Sequence, residues 1–151
     1  MRHYTCMIDP ATGWFEIKQY DDKKSITVAN IVEQEWLTRY PRPYIIMLDC
    51  GSEFIGQDFC DMCINDYGIK RRVILTQNLQ ANVIVERAHQ MLGNLIRSSQ
   101  LEDKPYYDLD DSWGGILVAI AFALRSTYHM TLQAMPGQLI FGMDMVLMSN
   151  I

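Results

Sequence analysis

The stretch YIIMLDCGSEF, residues 44–54, joins a continuous apolar run to an abrupt polar end. Its first five residues are rich in strand formers, and strands buried on both faces of a sheet read as unbroken apolar sequence. Asp49 follows the run at once, and Gly51 stands two residues later, a pairing typical of turns. The stretch therefore predicts a central strand of an α/β sheet that ends on a carboxylate.

Upstream of this strand, the sequence predicts a β-hairpin and one helix. Residues 3–9 form a short apolar run that fits a buried strand, and residues 14–20 alternate as a half-exposed strand does, with the turn ATG between them. Residues 25–40 place apolar side chains at helical spacing, with Ser25 or Thr27 as the predicted cap, before PRP ends the helix.

Downstream of the central strand, strands and helices continue to alternate. Residues 53–68 predict one helix closed by glycine, residues 69–75 a strand, and residues 81–100 a long helix. Residues 112–129 predict a largely buried helix whose N-terminus is marked by serine. The tail from residue 135 is too short and irregular for a domain of its own. We therefore expect one domain over residues 1–151.

The composition is that of a globular protein, with 49% hydrophobic and 21% charged residues. The longest apolar run, residues 114–124, falls short of the ~18 residues that a membrane span needs, and no signal peptide opens the chain. We therefore expect a soluble, non-secreted protein without a membrane partner. The net charge of −5 predicts weak DNA binding by this domain alone, because DNA binders usually carry a strongly basic face.

Several conspicuous residues have simpler interpretations than a functional site. CDMC, residues 60–63, has the spacing of half a zinc site, but no second pair follows, and helical spacing of its neighbours favours packing. KRR, residues 70–72, fits a solvated strand edge better than a DNA contact. The three tryptophans are predicted to anchor the core or a subunit contact rather than to stack on bases: Trp14, Trp36 and Trp113.

Three carboxylates lie at the ends of predicted elements. Asp9 ends the first strand, Asp49 ends the central strand, and Glu86 opens the long helix. Open α/β sheets bind ligands at strand ends, and carboxylates ~4 Å apart repel by about 4 kcal/mol per pair unless a cation holds them. Oxygen ligands suit Mg²⁺ or Mn²⁺. The alternative is that both aspartates are turn formers and Glu86 is a solvated helix residue.

These carboxylates and their surroundings resemble the catalytic core of retroviral and long-terminal-repeat retrotransposon integrases, most closely the Ty3/gypsy type. In that family three acidic residues form a D,D,E set, and the 36 residues between Asp49 and Glu86 fit the customary spacing. The resemblance implies an RNase H-like α/β fold, with a five-stranded mixed sheet flanked by helices and the first three strands antiparallel. The resembling segments are residues 7–17, 48–54, 78–90 and 113–142.

The resemblance also implies a function. Asp9, Asp49 and Glu86 would hold two Mg²⁺ or Mn²⁺ ions for 3′-end processing and DNA strand transfer. The expected partners are DNA and further copies of the chain, as a homodimer or higher oligomer, with no small-molecule substrate. The expected location is the nucleus, with a cytoplasmic particle stage in a retroelement. The residues expected to contact DNA lie in the loop before Glu86 and along its helix: Gln77, Asn78, Gln80, Asn82, Arg87, His89 and Arg97.

Other features of the sequence keep an alternative open. The chain shows neither the N-terminal zinc-binding domain nor the C-terminal DNA-binding domain of the family, which fits an excised core, a fragment or a relic. Leu79 stands where the family usually has proline, Val83 where it has glycine or alanine, and Cys50 where it has asparagine. A degenerate or host-adopted domain that binds or assembles without catalysis is therefore the alternative. A ribonuclease H fits the segments around Glu86 and Trp113 less well.

Overall fold

The structure is a computed structural model that describes residues 3–74, 86, 89–94, 97 and 112–145. The chain divides into two compact units. Unit 1 comprises Met1–Met7 and Lys18–Gln80, and unit 2 comprises Ile8–Ile17 and Ala81–Ile151. The boundary therefore passes through the first hairpin, whose tip belongs to unit 2.

The predicted hairpin is present. Strand β1 spans His3–Ile8, strand β2 spans Phe15–Tyr20, and the two are hydrogen-bonded neighbours. The turn between them is closed by the Asp9 amide, which donates to the Trp14 carbonyl at 2.9 Å, and by the Gly13 amide, which donates to the Asp9 carbonyl at 2.7 Å. Two strands joined by so short a connection pair as a hairpin, because parallel strands need a longer crossover.

Helix α1 of unit 1 spans Ser25–Val32, and a wider helical turn with i→i+5 bonding continues it over Glu33–Leu37. Lys24 precedes the helix without a side-chain cap, so the predicted cap is wrong. Ser25 Oγ instead accepts a hydrogen bond from the Phe59 amide at 2.9 Å. The Thr27 hydroxyl donates to Asp22 Oδ1 at 2.6 Å. A tertiary partner therefore takes the Ser25 hydroxyl, and a residue just before the helix takes that of Thr27.

The central strand β3 spans Ile45–Leu48 and pairs in parallel with β4, Lys70–Val73, so that Leu48 lies opposite Val73. Between them, the predicted single helix is interrupted at Gly56, whose ψ of 154° is not helical. Three helical segments result: α2 over Ser52–Ile55, α3 over Gln57–Asp61, and a wider turn over Met62–Asp66.

The core of unit 1 is built from the apolar faces of these elements. Its buried residues come from β2, α1, β3, α3 and the wider turn that follows α3: Tyr20, Val28, Ala29, Val32, Leu48, Phe59, Met62 and Cys63. The cysteine pair divides as packing predicts, since Cys63 is fully buried and Cys60 is half-buried. Burial raises the pKa of the Cys63 thiol to about 11. A thiol in such a site stays protonated near neutral pH.

Unit 2 holds the hairpin tip and the C-terminal helices. Residues 86, 89–94 and 97 are helical, α4 spans Ser112–Ser126, and α5 spans Pro136–Phe141 and packs against α4. Helix α4 was expected to be largely buried, and this is only half right. Leu117, Ile120 and Ala121 are buried, whereas Val118 and Phe122 are exposed, so the helix is amphipathic.

The expected five-stranded mixed sheet is not confirmed. The described residues contain four strands in two separate two-stranded sheets. Strand β3 pairs in parallel with β4, and the described residues show no pairing of β3 with β1 or β2, so the expected antiparallel arrangement of the first three strands stays a prediction. In the described part of the chain, each helix is too short or too polar to cross a membrane.

Candidate active site

Asp9 directly follows β1 and organises the turn at the hairpin tip. Its Oδ2 accepts a hydrogen bond from the Thr12 hydroxyl at 2.6 Å, and its Oδ1 accepts one from the Ala11 amide at 3.2 Å. Thr12 Oγ1 in turn accepts from the Trp14 amide at 3.2 Å. Gly13 completes the turn at a φ of +72°, where other residues are strained. The turn therefore fixes the orientation of the Asp9 carboxylate.

Side chains from α4 and α5 hold the strand that follows this turn. Arg125, in the last turn of α4, donates through Nε to the Phe15 carbonyl at 2.7 Å and forms an ion pair with Glu16. Its guanidinium lies 4.6 Å from the centre of the Trp14 ring. The same ring also makes an edge-to-face contact with Phe141, at 5.4 Å between centroids. The hairpin tip is thus anchored within unit 2.

Asp49 occupies a different kind of turn in unit 1. It directly follows β3, at the carboxyl end of a parallel strand pair, where α/β sheets bind ligands. Its Oδ1 accepts a hydrogen bond from the Gly51 amide at 3.0 Å, and its side chain is exposed. The sequence predicted both the turn and the position of the carboxylate at a strand end.

A second carboxylate, Glu53, lies beside Asp49. A Cβ placed on Gly51 would lie 3.0 Å from Asp49 Oδ1 and 3.1 Å from Glu53 Oε2. Together these two distances bring the oxygens within about 6 Å, close enough for like charges to affect each other. Glu53 is buried and accepts a hydrogen bond from the Tyr20 hydroxyl at 3.3 Å. Gly51 therefore leaves room for two neighbouring carboxylates.

The negative charges of Asp49 and Glu53 affect the pKa of the nearby Tyr20 hydroxyl. Burial is the main cause that raises the pKa of the Tyr20 hydroxyl to about 12, and the Glu53 and Asp49 carboxylates raise it further. A hydroxyl with this pKa remains protonated at neutral pH and keeps donating its hydrogen bond to Glu53.

Glu86 and its helix are described only in part. Glu86 and His89 are helical and exposed. Arg97 is exposed, and its guanidinium donates to the Gly93 carbonyl at 3.1 Å and to Asn94 Oδ1 at 2.7 Å on its own helix. The remaining residues expected to contact DNA lie outside the described residues: Gln77, Asn78, Gln80, Asn82 and Arg87. Their DNA contacts stay predictions.

The basic segment of β4, residues 70–72, has one half-buried side chain and two exposed ones. Arg71 is half-buried and hydrogen-bonds to the Phe54 carbonyl and to Cys60. Lys70 and Arg72 are exposed, and Lys70 Nζ donates to the Tyr44 hydroxyl at 2.6 Å. The middle residue of this segment is therefore a structural anchor, as the alternation of a strand dictates.

The donor chemistry of Asp9, Asp49 and Glu86 fits a hard divalent cation. All three offer carboxylate oxygens, and a carboxylate has lone pairs for a cation in addition to its turn hydrogen bonds. Among the residues that the structure describes, no group of three or more histidine, cysteine, aspartate or glutamate side chains is arranged to hold a metal ion. Convergence of the three carboxylates therefore stays a prediction.

Sequence reasoning missed four residues that shape these two turns: Thr12, Glu16, Glu53 and Arg125. A signal for Thr12 exists, because a hydroxyl three residues after an aspartate is a common turn pairing. The pairing of Glu16 with Arg125 spans 109 residues and leaves no local signal. Glu53 reads as an ordinary polar residue at the start of a helix.

Comparisons with known proteins place this geometry in context. No protein-family model matches the chain. The Pro-Pol polyprotein of simian foamy virus type 3 (strain LK3) is 27% identical over 142 residues, which is 94% of this chain and 12% of that protein. The Retrovirus-related Pol polyprotein from transposon 412 of Drosophila melanogaster is 26% identical over 121 residues, 80% of this chain and 9% of that protein. The chain thus spans about an eighth or less of these relatives.

Solved structures share the fold. The catalytic core domain of BIV integrase has a TM-score of 0.70 at 18% identity, covering 90% of this chain and 83% of that one. The HTLV-2 integrase catalytic core domain, solved in complex with magnesium in a trimeric form, has a TM-score of 0.66 at 19% identity and covers 91% of both chains. The simian T-cell lymphotropic virus intasome, bound to PP2A regulatory subunit B56 gamma, gives 0.74 at 17% identity over 95% of this chain and 50% of that one.

The class of fold is therefore the RNase H-like α/β fold of retroviral integrase catalytic cores. The resemblance predicted from the sequence is confirmed, because the homologues of the chain are retroviral and retrotransposon Pol polyproteins and its structural neighbours are integrase cores.

Proposed function

We propose that this chain is the catalytic core of an integrase, a metal-dependent polynucleotidyl transferase that acts on DNA. The proposal rests on the positions of three acidic residues within this fold. Asp9 directly follows β1, Asp49 directly follows β3, and Glu86 lies in an exposed helical position. Carboxylates kept at these positions are costly to bring together without a cation, so the pattern favours a metal-dependent site.

The proposed reactions are 3′-end processing and strand transfer, two phosphoryl transfers that differ only in the attacking hydroxyl. Asp9, Asp49 and Glu86 would hold two Mg²⁺ or Mn²⁺ ions, which would activate the attacking oxygen and neutralise charge on the leaving oxygen. Two groups of the chain itself orient these aspartates: the Thr12 hydroxyl donates to Asp9, and the Gly51 backbone amide donates to Asp49. His89 and Arg97 are exposed on the helix of Glu86 and would contact phosphates.

The finer features of the integrase architecture belong to the same proposal. They are a five-stranded mixed sheet with helices on its flanks, self-association into a dimer or higher oligomer, and action in the nucleus. The apolar residues exposed on α4 and α5 supply material for self-association, among them Val118, Phe122 and Phe141. A trimeric form of the HTLV-2 core and an intasome among the structural neighbours support an oligomer.

A non-catalytic binding or assembly module is the second candidate. The observation that favours it is the net charge of −5, since a domain of this charge gains little from counterion release on DNA. Cys50 also replaces the usual amide side chain next to Asp49 and is exposed. The two candidates differ in one measurable property, which is metal-dependent chemistry.

The experiment is cleavage and joining of a branched DNA substrate in the presence of Mn²⁺. We expect activity from the wild type and its loss by at least roughly a hundredfold in Glu86→Gln, which keeps the shape of the side chain and removes its charge. Asp58→Asn is the matched control, because Asp58 is also an exposed helical carboxylate, on α3. An inactive wild-type protein that folds normally would leave the binding or assembly module as the function.

A further inference from the structure

Arg125 makes three contacts with one short segment of the hairpin tip. Its Nε donates to the Phe15 carbonyl at 2.7 Å, its guanidinium pairs with the Glu16 carboxylate, and the same group lies 4.6 Å from the centre of the Trp14 ring. The fork of donors and the flat face of a guanidinium allow all three contacts at once. Lysine, a point charge, can replace only one of them.

The three residues that Arg125 contacts are buried, so these contacts restrain them strongly. Trp14, Phe15 and Glu16 are each less than 8% exposed, and the Arg125 side chain is 18% exposed. Removing one member of a buried ion pair is destabilising, because the charge that remains was desolvated together with its partner. Arg125 therefore restrains the position of Trp14, Phe15 and Glu16.

This segment is hydrogen-bonded to Asp9. The Trp14 carbonyl accepts from the Asp9 amide at 2.9 Å, and the Trp14 amide donates to Thr12, whose hydroxyl donates to Asp9 Oδ2. Two hydrogen-bonded routes thus run from Trp14 to Asp9, one to its backbone and one to its carboxylate. Any shift of Trp14 is transmitted to the carboxylate oxygens.

We propose that Arg125 is a positioning residue for Asp9, acting through Trp14 and the ion pair with Glu16 to fix the direction of the Asp9 carboxylate. The inference rests on the proposed function, since it assigns Arg125 a part in metal binding and phosphoryl transfer. Arg125 touches neither DNA nor metal in this account. Its effect is to orient one proposed metal ligand, Asp9, as residues that contact a metal ligand commonly do.

Unit 1 offers a matched control in Arg71. This residue is also half-buried, hydrogen-bonds to a backbone carbonyl, that of Phe54, and lies over an aromatic ring, that of Phe59, at 5.8 Å. Its contacts lie in the α2 and α3 segments and β4. Arg71→Lys therefore removes a half-buried guanidinium with its carbonyl and ring contacts, as Arg125→Lys does, without touching the Asp9 turn.

The experiment compares Arg125→Lys, Glu16→Gln and Arg71→Lys with the wild type in two measurements. The first is amide hydrogen exchange at Asp9 and Gly13, whose amides close the turn. The second is the Mn²⁺ concentration that gives half of the metal-induced rise in melting temperature. For Arg125→Lys and Glu16→Gln we expect faster exchange and a roughly tenfold higher Mn²⁺ midpoint. For Arg71→Lys we expect a lower melting temperature, with no change in amide exchange at Asp9 and Gly13 or in the Mn²⁺ midpoint.

Each other outcome overturns a defined part of the account. Unchanged exchange in Arg125→Lys would overturn the link from Arg125 to the turn. Faster exchange with an unchanged Mn²⁺ midpoint would reduce Arg125 to a structural anchor. The same midpoint shift in Arg71→Lys would show a general loss of stability instead of positioning. A wild type that does not respond to Mn²⁺ would overturn the proposed function itself, and the inference with it.

Discussion

The turns of Asp9 and Asp49 both follow strands, yet they hold their carboxylates in different ways. Both Asp9 oxygens accept hydrogen bonds from within the turn, and the turn requires a positive φ at Gly13. Asp49 accepts from the Gly51 amide, is exposed, and has the buried Glu53 carboxylate nearby. The Asp9 carboxylate is thus held by hydrogen bonds from residues of its own turn, whereas the surroundings of Asp49 are set by tertiary packing through Tyr20 and Glu53.

The comparison indicates what each turn contributes. Hydrogen bonds within the turn orient the Asp9 carboxylate before any cation binds, so this orientation would cost little entropy on binding. Asp49 contributes charge, since a second carboxylate within about 6 Å deepens the negative potential that a cation would meet there. Substitutions in the Asp9 turn should therefore change the free energy of unfolding, and those in the Asp49 turn should change the local electrostatic potential.

Alanine substitution of the two turn glycines should give the largest contrast. At Gly13, φ is +72° and a Cβ would lie 3.1 Å from Leu132 Cδ1 and 3.2 Å from Pro136 Cγ, so Gly13→Ala combines strain with overpacking. We expect a loss of about 2 kcal/mol in the free energy of unfolding. Gly51 has an ordinary φ of −60°, and its added Cβ would press only on the ends of flexible side chains. We expect a change for Gly51→Ala within about 0.5 kcal/mol.

Urea denaturation of both variants at neutral pH measures this contrast. Equal losses in the two variants would contradict the claim that the first turn requires a positive φ at its glycine and the second does not.

A smaller effect should follow from Tyr20→Phe, which removes the hydroxyl that donates to Glu53. At neutral pH we expect a loss of about 1 kcal/mol, the usual contribution of one hydrogen bond. The pKa of Tyr20 is about 12 in the folded chain, above the value near 10 of an unfolded tyrosine. Between these values the unfolded state loses its proton first, so the wild type should lose stability as pH rises above about 10.

Tyr20→Phe should lose less stability over that alkaline interval than the wild type does. Burial also raises the pKa of the Cys6 thiol to about 12, but this contribution is common to both proteins and cancels. Tyr128→Phe, at an exposed tyrosine, serves as the control. A Tyr20→Phe variant with the same alkaline slope as the wild type would remove Tyr20 from the account of the Asp49 surroundings.

Local patterns in the sequence were enough to predict the strand ends and the two aspartate turns. The apolar run before Asp49, the turn residues after Asp9 and the apolar periodicity of α4 each depend on neighbours in the chain. For the same reason the hairpin and the start of α4 at Ser112 were predicted correctly.

Features that depend on distant residues could not be predicted. The Ser25 hydroxyl meets the Phe59 amide across 34 residues, which displaced the expected helix cap. The interruption at Gly56 and the partner of Arg125 likewise arise from packing between segments far apart in the chain. Pairing of strands into one larger sheet is also a non-local property, and periodicity alone does not fix it.

Metal-dependent melting tests whether the three carboxylates act as one site. We predict that Mg²⁺ or Mn²⁺ at a hundredfold excess over the dissociation constant stabilises the wild type by ~2.7 kcal/mol. Asp49→Asn should abolish most of that shift and leave the metal-free protein no less stable, because it removes a repelling charge. Asp9→Asn should abolish the shift and also lower the metal-free melting temperature, because Asp9 holds its own turn. A wild type with no metal-dependent shift, or an Asp49→Asn variant that keeps the whole shift, would contradict the assignment.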